Sequence, residues 1–499
     1  MARYGLYRLL GVCVVFLLAT ATGWSQYIHW LVIGWSNAPS ESRATGVSAD
    51  GSVVVGWYYG SSSWYPFRWT ASGGLQGLSS PGYGSGANGV SADGSVVVGW
   101  VLDDAKRYPR AVRWAPGAMI YLDTRPGGYG SEALGVSANG SVVVGWAQNA
   151  AGYGRAFRWT AAGGMKYLGT LGGDWSVAYG VSADGSVVVG EAENAALDTR
   201  AFRWTGSGGM QDLGTLGGAW SAAYGVSADG SVVVGAAYNA AGQLRAFRWT
   251  SSGGMQDLGT LGGHESAAYG VSADGSVVVG WAENAAGQLH AFVWTAAGGM
   301  KDLDTFYLGD YFGYDGWYLA AYAISADGRY IVGNGYNASS GRAVGFRLKT
   351  MAVIRGTLTL GDYGGDPSLV PVSVRLRKEG GSEETYTIYT DRNGNYSLWV
   401  EPGTYEVSFK ASHWLRVNLT GVTLGPAEEV TGQDATLTNG DIDGDNEVTL
   451  FDFGELVAAF GSMPGNSNWN PDADLDGDAE VTLFDFGILV QNFGAIGDE

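Results

Sequence analysis

The chain has 499 residues, a formal net charge of −20 and one cysteine, Cys13. Residues 441 to 499 hold fourteen Asp or Glu and no Lys, Arg or His, so the acidity is local rather than spread over the whole surface. Phosphate recognition needs basic clusters and none is present, which excludes nucleic acid as a partner.

The N-terminus couples a basic stretch (M-A-R-Y-G-L-Y-R) to an apolar run of roughly fifteen residues ending in small residues, the pattern of a secretory signal peptide over residues 1–23. The expectation is a secreted, extracellular or cell-surface protein with no membrane span in the mature chain. Cys13 falls inside the apolar run, so the mature chain is cysteine-free. Disulfides, thiolate chemistry and Cys-type zinc sites are thereby excluded. The histidines at 29, 264, 290 and 413 show no ligand spacing.

Internal repetition decides the architecture of residues 27–350. The phrase G-V-S-A-D-G-S-V-V-V-G or a close variant begins at Gly46, Gly89, Gly135, Gly180, Gly225, Gly270 and Ala323. Each unit reads as four short strands: Y-G-V-S, S-V-V-V-G, A-F-R-W-T and M-x-x-L. Ala-Asp-Gly between the first two is a hairpin turn, because Asp and Gly tolerate left-handed backbone. Four antiparallel strands in about 45 residues is one propeller blade. The last copy lacks its fourth strand, and an orphan apolar strand at Tyr27 to Ile33 is placed to complete it, giving a closed seven-bladed β-propeller. The repeat resembles the HAF family of bacterial extracellular repeats, whose units read aromatic-x-W-T, L-G-T-L-G-G and V-V-G; that class implies little about activity.

The recurring Trp69, Trp114, Trp159, Trp204, Trp249 and Trp294 are expected in the core between blades. Ligand binding is expected where copies differ, in the connections between the fourth strand of one unit and the first of the next. Trp175, Trp220 and His264 lie there, with Tyr314 and Trp317 in a longer aromatic segment from Asp304 to Ala321. Aromatic faces stack on sugar rings, so polysaccharide is the ligand class considered; burial of these aromatics, plugging the channel or covering sheet edges, is the reading preferred over it.

From 351 to 437, alternating segments such as V-P-V-S-V-R-L-R and Y-E-V-S-F-K-A read as strands of a small β-sandwich. The order T-D-R-N-G-N-Y-S then P-G-T-Y-E-V resembles carboxypeptidase regulatory-like, transthyretin-like modules, which implies a spacer with no catalytic residues.

Residues 438–499 carry two twelve-residue loops, D-I-D-G-D-N-E-V-T-L-F-D from Asp441 and D-L-D-G-D-A-E-V-T-L-F-D from Asp474. Carboxylates at positions 1, 3, 5 and 12, a carbonyl at 7 and a hydroxyl at 9 supply hard oxygens for Ca²⁺. Two calcium sites are expected: Asp441, Asp443, Asp445, Glu447, Thr449 and Asp452, then Asp474, Asp476, Asp478, Glu480, Thr482 and Asp485. Each loop leads an apolar stripe at helical spacing, Phe453, Leu456, Val457, Phe460 and Phe486, Leu489, Val490, Phe493, stopped by Gly461 and Gly494. The module is thus a small α-helical, EF-hand-like unit. The doubled D-x-D-G-D-x-x-V-T-x-x-D pattern over 440 to 494 resembles a type I dockerin, which implies docking to a cohesin-like protein domain. It departs from the family at position 6 (Asn446, Ala479) and at positions 10 and 11, where Leu450-Phe451 and Leu483-Phe484 replace the small hydroxyl pair that touches the cohesin in many dockerins.

No nucleophile elbow, Walker loop, His-Glu-x-x-His or paired catalytic carboxylates appear. G-S-G-A-N-G from Gly84 matches a dinucleotide fingerprint by chance, in a chain of 83 glycines with no strand-helix context. Glu191, Glu193 and Glu283 are read as lying in loops after the valine strands. The sequence favours a non-enzymatic surface or complex-associated binding protein. Its rivals are a dockerin-borne carbohydrate-active enzyme of glycoside hydrolase type and a structural surface-layer component.

Overall fold

The computed structural model describes residues 31–33, 41–60, 63–80, 84–102, 108–122, 130–308, 317–337, 341–381 and 383–499. The signal segment 1–23 and Tyr314 lie outside the described residues. The chain is mainly β.

Between residues 31 and 349 stand seven four-stranded antiparallel sheets in sequence order. One of them, Gly172–Val181, Val187–Asn194, Thr199–Thr205 and Gly209–Asp212, shows why the repeat folds so. Asp184 holds its turn by accepting from Ser182 Oγ at 2.7 Å and Ser186 N at 2.9 Å, while Gly185 takes φ 76°. Val187, Val188 and Val189 are all buried, because both faces of the sheet meet neighbouring sheets. Val187, Val189 and Ala201 pack on Val233, Phe247 and Trp249 of the next sheet. A fully buried Phe such as Phe247 contributes about 2–3 kcal/mol of transfer free energy. The glycine closing V-V-V-G is dictated by crowding: a Cβ at Gly190 would stand 1.9 Å from the carbonyl oxygen of Val177.

The sheets meet along an inner ring of turns. Backbone N–H groups of Ala49, Ala92, Ala138, Ala183, Ala228 and Ala273 each donate to the alanine carbonyl of the next turn, ending at Ala326, at 2.9–3.0 Å. Leu31–Ile33 pairs antiparallel with Arg342–Lys349, so the N-terminal strand supplies the fourth strand of the last sheet.

Residues 352–437 form two four-stranded sheets around a core that includes Ile354, Val374, Leu398, Val407, Phe409 and Trp414. Beyond them, helices Leu450–Ala459 and Leu483–Asn492 each start from a threonine capping box, Thr449 with Asp452 and Thr482 with Asp485. Gly461 and Gly494 follow their ends at φ 75° and 84°. Leu415, from the sandwich side, belongs to the core of this helical unit with Ile442, Val448, Leu456 and Leu489.

The expected apolar stripes divide. Leu456 and Leu489 are buried, but Phe453, Val457, Phe460, Val490 and Phe493 are exposed, because two ten-residue helices over a small core bury one narrow edge each. No helix among the described residues is long and apolar enough to cross a membrane.

At the start of the long connection the aromatics are covered, as the burial reading has it. The connection begins with a six-residue helix, Leu303–Leu308, whose Tyr307 is buried and whose Phe306 packs on Trp399 of the sandwich at 5.6 Å. These two aromatics join the ring of sheets to the sandwich rather than forming an exposed platform.

Candidate functional site

The two acidic loops draw their carboxylates inward. Asp441, Asp443 and Asp452 present oxygens within 4.8 Å of one another, and so do Asp474, Asp476 and Asp478. Asp445 and Asp485 fall outside these triads. Asp445 Oδ1 accepts from Glu447 N at 2.9 Å, and Asp485 accepts from Leu475 N and Thr482 N at 2.7 Å each. Asp452 does the same in the first loop, taking Ile442 N at 2.6 Å and Thr449 N at 2.7 Å, so position 12 staples its loop through the backbone. The hydroxyls of Thr449 and Thr482 accept from Phe451 N and Phe484 N as helix caps. Glu447 and Glu480, expected to contribute their carbonyls, have exposed side chains.

Burial, reinforced by neighbouring carboxylates, pushes the Asp443, Asp474 and Asp476 carboxyls up. Crowded acids with free lone pairs fit a hard cation, and the donor set is all oxygen, as calcium requires. The first loop also meets a cation from the sandwich. Lys410, at the end of strand Gly403–Lys410, sends its ammonium to Asp441 Oδ2 at 2.6 Å and to the carbonyls of Ser412 and Trp414 at 3.0 and 2.7 Å. Asn446 and Ala479 take φ 74° and 70° at position 6, the left-handed region that EF-hand loops usually give to glycine.

The pairs after each loop are presented alike. Leu450 and Phe451 are each 73% exposed, Leu483 and Phe484 72% and 74%. With Phe453, Val457, Phe460, Val490 and Phe493 they leave a large apolar area on the outside of two short helices.

On the ring of sheets, the expected ligand residues are distributed rather than gathered. Trp175, Trp220 and His264 lie within the first strands Gly172–Val181, Gly217–Val226 and Gly262–Val271 of three different sheets, not in loops. Pairing continues past the bulge because Gly172, Gly217 and Gly262 meet Asn194, Asn239 and Asn284. Trp220 packs on Tyr238 at 5.7 Å, and the His264 carbonyl accepts from Arg245. Trp317 opens strand Trp317–Ile324. Glu191, Glu193 and Glu283 are strand residues as well; Glu193 and Glu283 accept from Asp174 N and His264 N at 2.9 Å, which makes them fasteners of the extended strands.

Sequence reasoning passed over the inner edge of the ring. The residue after V-V-V-G differs from copy to copy: Trp57, Trp100, Trp146, Glu191, Ala236, Trp281 and, in the last, Asn334. The position before the G-V-S phrase varies too, and in four consecutive sheets it is tyrosine. Tyr179, Tyr224, Tyr269 and Tyr322 pack ring to ring at 5.2, 5.0 and 5.5 Å. Variation bracketed by a valine-rich run and a constant glycine was the available signal.

No family model and no curated protein matches the chain. Among solved structures, a type II cohesin–X-dockerin complex from Acetivibrio cellulolyticus is similar over 29% of this chain and 97% of that one, at 21% identity and TM-score 0.25. An oligogalacturonate lyase from Vibrio parahaemolyticus is similar over 65% of this chain and 97% of that one, at 10% identity and TM-score 0.45. TolB from Acinetobacter baumannii is similar over 61% of this chain and 65% of that one, at 12% identity and TM-score 0.37.

Proposed function

We propose that this chain is a secreted, non-catalytic binding protein in which a seven-bladed propeller serves as platform, a β-sandwich as spacer, and a dockerin-like module as a calcium-dependent attachment to a cohesin-like domain. The observation that carries the reading is the matched exposure of Leu450-Phe451 and Leu483-Phe484, 72–74% each, on the first turns of helices that issue from acidic triads. Large exposed aromatics that repeat in pairs on a small unit mark a protein contact rather than a core. Calcium would be held by Asp441, Asp443 and Asp452 in one loop and by Asp474, Asp476 and Asp478 in the other, neutralising carboxylates that otherwise repel and fixing the helix starts. The propeller's own ligand is not part of this attachment.

The test is titration of the full chain with a purified cohesin domain, with calcium and with a chelator. Binding is expected only with calcium. Phe451→Ala plus Phe484→Ala should weaken it by about a hundredfold, the loss of two aromatic anchors. Binding that persists under chelation, or in the double variant, would overturn the reading.

A further inference from the structure

The inner edge of the ring is lopsided. Tyrosines fill the position before the G-V-S phrase in four consecutive sheets, whereas the first three carry Thr45, Asn88 and Leu134. Along the axis a cavity of about 250 Å³ runs between the inner strands, bounded by Thr45, Asn88, Tyr269 and Tyr322 among others. Outside the lining of this cavity, on the second strands of the three sheets without tyrosines, stand three part-exposed indoles, Trp57, Trp100 and Trp146. Gly86 makes room for two of them: a Cβ there would lie 2.8 Å from Trp100 Nε1 and 3.3 Å from Trp57 Cδ1.

Two carboxylates border this aromatic side. Glu132 lies directly across from Trp146 in the strand pair and accepts from its indole N–H at 3.3 Å. Glu191, on the next sheet, accepts from the Tyr179 hydroxyl at 2.6 Å. Both are half-buried, and among the described residues neither forms an ion pair; their hydrogen-bond donors are neutral. Burial pushes both carboxyls up, the mark of acids lacking a cation. Arg43, two and three sheets round the ring from the glutamates, already rests its guanidinium over Trp57 at 5.1 Å, so an indole at this edge holds a cation face-on.

We infer that the inner edge around Trp57, Trp100, Trp146, Glu132 and Glu191 is a binding site for a protonated amino sugar, stacked on indole and paired through its ammonium with the glutamates. Stacking needs a flat apolar sugar face, and unpaired carboxylates beside it select a cationic substituent over a neutral one. Arg43 repels the ammonium from the far side and supplies donors to sugar hydroxyls, which fixes orientation. The site is independent of the C-terminal attachment.

The experiment is calorimetric titration of the full chain with a fully deacetylated glucosamine tetramer and with cellotetraose, the neutral sugar of equal length, repeated under calcium chelation to separate this site from the attachment. The glucosamine tetramer should bind at least about tenfold more tightly than cellotetraose. Glu132→Gln, which keeps the side-chain shape and the acceptor for Trp146, should weaken it by about tenfold, and Trp100→Ala by a similar factor. Equal affinity for the two tetramers, absence of binding to the glucosamine tetramer, or unchanged binding in a Glu132→Gln variant that melts like wild type would overturn the inference.

Discussion

The backbone N–H of Ala326 donates to the carbonyl oxygen of Ala49 at 3.1 Å, completing a cycle of hydrogen bonds that passes once through every repeat. A linear stack of sheets would leave the first carbonyl and the last N–H without partners. The contact therefore ties the first turn to the last, and the pairing of Leu31–Ile33 with Arg342–Lys349 ties the same two ends at the outer edge.

A chain beginning at Ser42 loses that outer strand and exposes the edge of Arg342–Lys349. Its melting temperature should fall by roughly 5 °C, with faster aggregation on heating. Scanning calorimetry of both chains decides; an unchanged transition would mean that the inner cycle alone closes the ring.

The junction of the last two sheets offers a double-variant test. At five junctions a serine hydroxyl, Ser42, Ser131, Ser176, Ser221 or Ser266, accepts from the backbone N–H of the preceding sheet, the last sheet preceding the first around the ring. Leu319 stands at that register position in the last sheet, and Asp304 supplies the missing oxygen, accepting from Ala291 N at 3.1 Å and Leu319 N at 3.0 Å. Asp304→Ala should cost about 2 kcal/mol by orphaning buried donors. Adding Leu319→Ser should recover part of that loss, read by urea unfolding.

The same aspartate gives the stability a pH slope. Burial pushes the Asp304 carboxyl up to about 7, whereas the unfolded group titrates near 4. Between those values the unfolded chain has lost a proton that the folded chain keeps, so stability falls as pH rises from about 4 to about 7. His290 adds to the slope at its upper end. Its hydrogen bond to Asp302 at 2.7 Å raises its pKa, and the stability this gives is lost as pH rises through the raised value. Asp304→Asn should flatten the lower part of the slope, measured as unfolding free energy against pH.

Position 6 of the two loops should respond to glycine in opposite directions. Ala479 holds φ 70° with no side-chain bond in return, so Ala479→Gly should stabilise the unit by about 1 kcal/mol. Asn446 at φ 74° bonds Arg416 N through Oδ1 at 2.7 Å and the Asp498 carbonyl through Nδ2 at 2.9 Å, so Asn446→Gly should destabilise it. Thermal melts of residues 351–499 in calcium compare them.

Lys410→Met strips the fully buried Asp441 carboxylate of its cation. In chelator the change should cost about 3 kcal/mol, and saturating calcium should recover most of it. Circular dichroism during urea titration reads both arms. Equal losses with and without calcium would show that lysine and metal do not share the charge of Asp441.

The repeat strands and acidic loops were legible because their causes are local: valine runs, Asp-Gly turns and carboxylates at fixed spacing. What escaped depends on distant partners. Phe306 and Tyr307 look like surface aromatics until Trp399 and the Met351 carbonyl, which accepts from Tyr307 at 3.1 Å, close over them. Trp175 and Trp220 look like loop residues because the glycines before them read as a break, and only the bulged pairing with the valine strand continues the sheet through them. The helical stripes placed the two helices, Leu450–Ala459 and Leu483–Asn492, but not what covers them. Periodicity marks an apolar face without saying whether a core or a partner covers it.

The strand through which the ring passes to the sandwich, Arg342–Lys349, is flanked on both sides, by Tyr330–Asn337 along its whole length and by Leu31–Ile33 at its middle. A tension applied at the C-terminal module enters the ring along that strand's axis. It must shear two rows of hydrogen bonds together instead of peeling one bond at a time from a free edge. The Tyr307 hydroxyl, bound to both the N–H and the carbonyl of Met351 just past the strand, takes up the load first. The exit of the chain is thus built as a mechanical splice, loaded in shear rather than by peeling.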